Sequence, residues 1–432
     1  MATTVLVLGD GPRPYHEHLL QQIASAHPVV LAGGEPRSWG NAYARHHLDV
    51  DLADRERAAA AVRRFAATTR LGGICTYLEH HIELAARLAA MLGLPHSSQA
   101  SMAACRDKAD ARQLFDLYDV PSARSRLVAD AEDAVDFARL LRYPVVIKPR
   151  GLAGSTAVVR ADSDDQVRTA FQHARRDTFL DLDASAVPGV LVEEYLTGPE
   201  ISAETVVLGT GEVRVVAITR KQLGPEPRFQ ETGHSVDALD PLLHDQGITR
   251  TVAAAVTALG VTRGVLHVDL RLTKRGPVLI EVNGRPGGDL ITLLVTLATG
   301  IDLARATAAL ATGTTPDLTP TRQRAAAIQF LYPALGGEVT GLEADEALRS
   351  ERWLERLVWT RETGAEVAAF PAAGIDDRLG HWVVTGRDAA TCRARLAAVP
   401  DRILAHQRTR AQDQLHPLTP PSTATGHWSP HR

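Results

Sequence analysis

Cysteine is nearly absent from this chain of 432 residues: Cys75, Cys105 and Cys392 stand alone, without the spacing of a zinc site, and an odd number leaves one unpaired. A disulfide-stapled secreted scaffold and a cysteine metal centre are therefore excluded, and a reducing, cytoplasmic setting is expected. Long apolar runs are missing too. None approaches the roughly 18 residues of a membrane span, and the opening MATTVLVLGDG lacks the basic segment and apolar core of a secretory leader. Nor is there an excess of charge of one sign. A net charge of −4 gives no general attraction to nucleic acid or to anionic membrane, so the expected partners are small molecules. What is present is an ordinary globular composition, 45% hydrophobic and 23% charged, in a chain too long for one simple core.

Residues 1–105 alternate short apolar runs with helical patterns (TVLVLGDG, HEHLLQQIASA, PVVLAGG, GGICTYLE, IELAARLAAMLG), which predicts a small parallel α/β domain. Its GDGPRP turn lacks the full dinucleotide fingerprint. The pairs His46-His47 and His80-His81 read as surface histidines, because adjacent residues do not face each other on a helix or strand. Residues 106–315 change to helix, hairpins and further strands. Residues 316–410 read as a closing α+β domain, and 411–432, rich in Pro, Ser and Thr with little to bury, as a disordered tail. The predicted class is thus α/β and α+β together.

The most informative segment is GVLHVDLRLTKRGPVLIEVNGRPGGD, 264–289, which reads as a β-hairpin with ionisable groups on one face only. A turn centred on Arg275 sets His267 opposite Asn283, Asp269 opposite Glu281 and Arg271 opposite Leu279, with Val268, Leu270, Leu272, Val278, Ile280 and Val282 on the core side. Facing side chains have Cβ atoms only about 4.5 to 5.5 Å apart, so Asp269 and Glu281 repel unless a cation lies between them. Two carboxylates and the Asn283 amide are hard oxygen ligands suited to Mg2+ on a nucleotide polyphosphate. The plainer reading is a solvated hairpin.

Upstream, YPVVIKPRGLAGSTAVV, 143–159, reads as strand, loop, strand, with Lys148 ending the first strand and Gly151 and Gly154 in a turn whose backbone can approach an anion. VEEYLTGPE, 192–200, runs a strand into a bend and can offer Glu193 and the Leu196 backbone to an adenine edge and Glu200 to ribose hydroxyls. Together with Lys108 in CRDKADARQLF and with Asp269, Glu281 and Asn283, these segments resemble the ATP-grasp superfamily in order and spacing. The resemblance covers about 1–410 and implies a pre-ATP-grasp domain, a two-lobed ATP-grasp domain, and ATP with two Mg2+ ions as cofactors, for which Mn2+ can substitute. It implies that Lys108 and Lys148 contact phosphates, that Glu193 and Leu196 read adenine, and that Glu200 binds ribose. Ser155, Glu194, Tyr195 and Lys221 join the nucleotide-binding set. One departure is Asp269, where many members have Glu.

Within the superfamily, EVNGRPGGD and ETGHSV (231–236) look most like the L-amino-acid ligases, which make dipeptides. That resemblance implies Glu231 and His234 near the substrates, Arg285 on the transferred phosphoryl or the substrate carboxylate, and the Gly287-Gly288 backbone near the acyl group. It implies small carboxylate and amine substrates, an acyl-phosphate route and a lid at Lys221–Asp237, and it allows a homodimer. The alternatives are another ATP-grasp ligase or carboxylase of the purine or biotin-carboxylase type, and a nucleotide-binding module without turnover. The Ala- and Arg-rich composition is associated with GC-rich bacteria, where such ligases serve peptide natural products.

Overall fold

The computed structural model describes residues 3–33, 38–152, 154, 156–180, 187–409 and 412–417. Strands Val5–Leu8, Val29–Gly33, His46–Asp49 and Gly73–Cys75 form a parallel sheet. Its central strands VLVL and VVLA are buried throughout, as expected where helices cover both faces. The predicted N-terminal domain is therefore present. The three cysteines are free and buried, and burial pushes the Cys75 thiol up to about 12, which leaves it inert at neutral pH.

A small lobe follows. Strands Ser125–Val128, Val190–Glu194, Val145–Pro149 and Val159–Ala161 pair antiparallel in that order. Helices Ala131–Leu141 and Asp164–Leu180 pack against the sheet. Alternation explains what each face carries. Val145, Ile147, Val190 and Val192 enter the lobe's core, whereas Val146, Lys148 and Glu193 turn to the opposite face, over the large sheet's cavity.

The large sheet has eight strands, all antiparallel to their neighbours: Gly276–Asn283, Gly264–Thr273, Glu200–Val207, Val213–Leu223, Glu231–Asp237, Ala325–Leu331, Gly380–Gly386 and Leu354–Trp359. It runs through the expected boundary at 315/316. AAAIQFL is almost wholly buried and pairs with Glu231–Asp237, so the closing region is an extension of the central sheet with a small sheet added. That added sheet contains Glu366–Val367, Gly337–Ala344, Ile403–Thr409 and Gln412–Pro417. The last strand corrects the start of the expected disordered tail: ladder bonds to Ile403–Thr409 are made by backbone and need no apolar side chains. Residues 418–432 lie outside the described residues. Among the described residues no single helix is long and apolar enough to cross a membrane.

Candidate active site

The predicted hairpin forms, with His267 opposite Asn283 and Asp269 opposite Glu281. Its register then shifts. A β-bulge at Ile280 places Leu270 opposite Leu279 and Arg271 opposite Val278, so the expected pairing of Arg271 with Leu279 is corrected. One extra residue reverses the alternation beyond it. Leu279 enters the main core beside Ile248 and Val252, while Val278 and Ile280 leave the expected core side and join Ala123 and Leu196 in a separate apolar cluster. Arg112 donates to the Ile280 carbonyl at 2.5 Å, satisfying an acceptor at the bulge. The result is an apolar wall beside the charged face.

A cavity of about 880 Å³ opens over this face, bounded by the small lobe, the large sheet, the N-terminal domain and the closing region. It is lined by Lys108, Lys148, Gly154, Glu193, Glu194, Tyr195, Leu196, Glu200, Lys221, Glu231, Asp269, Glu281, Asn283, Arg285 and Gly288 among the predicted residues. His234 lies just behind, its Nε2 3.3 Å from Glu231. Gly151 packs against the Val187 backbone and Gly287 against His267. Ser155 lies outside the described residues. His80 lines the cavity, which corrects its reading as a surface histidine: the 3-10 turn Glu79–His81 carries it inward.

Each lysine meets a carboxylate. Asp107 caps the helix Lys108–Leu117, accepting from the Ala109 and Asp110 amides, and also takes the Arg150 guanidinium. That aims Lys108 at the Leu152 carbonyl, 2.7 Å, and at Glu281, 3.4 Å. Arg112, one turn on, donates to both Glu193 oxygens, and Lys148 reaches Glu193 at 2.7 Å. Burial drives the Lys148 ammonium down to about 8 against the pull of Glu193. The Glu193 carboxylate is thereby committed to two cations, unlike the expected carboxylate facing adenine. Glu194 pairs with Arg124 and Arg275, the Tyr195 hydroxyl with Glu226, and Glu200 with Arg271 at 2.8 Å.

Lys221 meets Asp269 at 2.5 Å, Glu231 at 2.8 Å and Glu200 at 3.7 Å. Burial opposes its charge, yet these three carboxylates hold the ammonium well above its ordinary value. His267 sits between Asp269, 3.2 Å, and Glu204, 3.1 Å. Burial works against its ionisation, but the two carboxylates outweigh it and push the imidazole up to about 10. For Glu281 burial is likewise outweighed, by Lys108 and Lys148, and its carboxyl is held below the usual range.

Asp269 and Glu281 therefore face each other as the hairpin reading required, each neutralised by a lysine. Asn283 donates to Glu281 at 3.2 Å and lies on the same face. This donor set, hard oxygens beside lysine cations, fits a divalent ion on a polyphosphate.

Beyond Arg285 the chemistry changes. Glu79 of the N-terminal domain holds the Arg285 Nε at 2.7 Å. Asp289 accepts from both Arg378 terminal nitrogens at 2.9 Å, and Arg378 stacks over Phe330 at 3.7 Å. Burial is outweighed by Arg378, so the Asp289 carboxyl stays ionised. Glu231 and Asp289 line the cavity with His234 behind them, and their charges are met by Lys221, His234 and Arg378. Sequence reading missed Arg112, Glu204, Arg378 and Asp289. Arg112 had a signal, lying four residues after Lys108 on one helix face; Arg378 had none, because its partner is 89 residues away.

An ATP-grasp domain model matches residues 141–293 and an ATP-grasp N-terminal domain model matches 27–96. The chain is 32% identical to the phosphoribosylamine–glycine ligase of Phenylobacterium zucineum, over 55% of this chain and 60% of that protein. It is 27% identical to carnosine synthase 1 of Homo sapiens, over 68% of this chain and 38% of that protein. It thus spans less than two thirds of either relative's length. The L-amino acid ligase of Bacillus licheniformis superposes with a TM-score of 0.79 at 21% identity, covering 94% of this chain and 99% of that one. With both domain models matched, in the expected order and on the expected fold, the chain belongs to the ATP-grasp superfamily.

Proposed function

We propose that this protein is an ATP-dependent carboxylate–amine ligase that joins two amino acids, or an amino acid and a peptide, through an amide bond. The observation that carries this reading is a single cavity holding Lys108, Lys148, Asp269, Glu281 and Asn283 together with Arg285, Glu231 and Asp289. Nucleotide and organic substrates then react without crossing solvent. MgATP supplies the phosphoryl group that gives the carboxylate a leaving group, as an acyl phosphate. Asp269, Glu281 and Asn283 would hold the metal, with the lysines on phosphate oxygens and the apolar wall of Ile280 and Leu196 on the adenine face. Positioning and charge neutralisation carry most of such a transfer. Arg285 and the Gly287-Gly288 amides then stand to bind the oxyanion formed when the amine attacks.

Glu231 and Asp289 at this end of the cavity are already matched to Lys221, His234 and Arg378, so a charged substrate group there would exchange with one of these pairs. The rival reading is ligation in the manner of phosphoribosylamine–glycine ligase, to which the chain is 32% identical. ATP-rich cytoplasm is the compartment this chemistry requires, and assembly of bacterial peptide natural products is the setting we infer from the Ala- and Arg-rich composition.

A matrix of amino-acid and peptide pairs, scored for phosphate release and product mass, is the test. Turnover is expected to yield ADP and orthophosphate, and hydroxylamine added with the acid substrate alone to yield a hydroxamate. AMP and pyrophosphate would point to adenylation instead.

ADP affinity should be flat below about pH 8 and weaken above it, because Lys148, depressed to about 8 by burial, must be protonated to meet a phosphate. Calorimetry across pH 6 to 10 checks the sign. Lys148→Ala should cost roughly tenfold or more in ADP affinity, as expected for a charge-assisted hydrogen bond, and flatten that profile. Unchanged affinity in the variant would remove Lys148 from the phosphate site.

A further inference from the structure

Glu204 and His267 sit on the third and second strands from the Gly276–Asn283 edge of the large sheet, facing each other across the register of Gly264–Thr273 with Glu200–Val207. Glu204 is fully buried and lies behind the cavity wall. Ser202 Oγ donates to it at 2.7 Å, Thr219 Oγ1 at 2.9 Å, and the His267 Nδ1 lies 3.1 Å from both of its oxygens. A buried carboxylate is costly unless its lone pairs are met in this way. Packing alone does not call for it.

The bond to Glu204 fixes how the ring of His267 is turned. His267 lines the cavity, and its other nitrogen, Nε2, lies 3.2 Å from Asp269 Oδ1, the oxygen that Lys221 Nζ approaches at 2.5 Å. A Cβ on Gly287 would lie 2.9 Å from His267 Nδ1 and 3.1 Å from Glu204, so the Gly287 turn rests directly on the pair. One buried unit therefore touches both a metal-facing carboxylate and the turn that follows Arg285.

We propose that Glu204 and His267 form a positioning pair: Glu204 orients the imidazole, whose Nε2–H holds Asp269 Oδ1 so that the other carboxylate oxygen is presented to the divalent ion. The pair compensates for the short reach of an aspartate and seats the Gly287 turn at a fixed distance from the same ion. This rests on the metal reading of Asp269, Glu281 and Asn283. Partners of this kind behind metal ligands typically alter metal affinity by about 10- to 100-fold.

The test is Mn2+ binding to the full chain at saturating ADP, followed by loss of the free-ion electron paramagnetic resonance signal, so that no turnover is needed. His267→Asn keeps a donor near Nδ1 but not near Nε2, and should bind Mn2+ about 10- to 100-fold more weakly. His267→Gln reaches the Nε2 position and should stay within about threefold of the parent. Glu204→Gln, which frees the ring, should fall between them. Melting temperatures without metal give the structural control. Equal losses in the Asn and Gln variants that track lowered melting temperatures would mean a packing role and overturn the pair, as would parental Mn2+ affinity in all three variants. The expected ranking with no amino-acid pair turned over would instead sustain the pair and remove the ligase reading.

Discussion

Glu281→Gln should abolish ATP turnover, by roughly 10³-fold or more, while the protein still folds. The amide keeps the volume of the side chain, and the strand holding it is fixed by backbone pairing from His267 with Asn283 to Thr273 with Gly276. What is lost is the charge. Glu281 is an ionised carboxylate facing Asp269 and reached by Lys108. On the proposed metal reading a neutral group there would leave a divalent ion one carboxylate, and the stabilisation of developing phosphoryl charge by a metal amounts to several kcal/mol. At about 1.4 kcal/mol per factor of ten this is a loss of three decades or more. Phosphate release measures the first half of the expectation and circular dichroism the second. Near-parental turnover in a folded variant would sink the metal assignment.

Arg285→Lys should be far more damaging than its retained charge suggests. Arg285 leaves the hairpin two residues after Asn283, and its Nε is held by Glu79 at 2.7 Å while Nη1 donates to the Pro286 carbonyl at 2.9 Å. These contacts aim a planar fork into the cavity. Lysine supplies a point charge that cannot be anchored and presented at once. A contact that strengthens as oxyanion charge develops shows its loss in kcat, and removing one such donor typically costs roughly 10²- to 10³-fold. Steady-state kinetics against the carboxylate substrate separates the cases. A rise in KM alone would make Arg285 a ground-state clamp.

Much of this was legible in the sequence because it lies within single segments. The facing of Asp269 and Glu281 follows from one hairpin whose alternation and turn residues set the register near its open end. Lys148 points away from the small lobe's core because Val145 and Ile147 point into it. The parallel N-terminal sheet follows from apolar runs alternating with helical patterns. The errors have a common cause. The bulge at Ile280 is invisible to a period-two reading because its carbonyl is satisfied by Arg112, 168 residues earlier. The boundary near 315 misled because composition cannot say which strand edge a buried run will join.

The sequence by itself determined which groups meet at the site: two carboxylates and an amide on one strand pair, lysines at strand and helix ends, and an arginine and two glycines after the hairpin. Tertiary structure alone decided how their charges are matched. Lys221 bridges Asp269, Glu231 and Glu200, Arg378 comes from the far end of the chain to hold Asp289, and Glu204 meets His267 in the sheet's interior. The reason is physical. Alternation and turn chemistry act over a few residues and can be read locally, whereas a buried charge is stable only when the fold brings its partner, and that partner's sequence position is unconstrained.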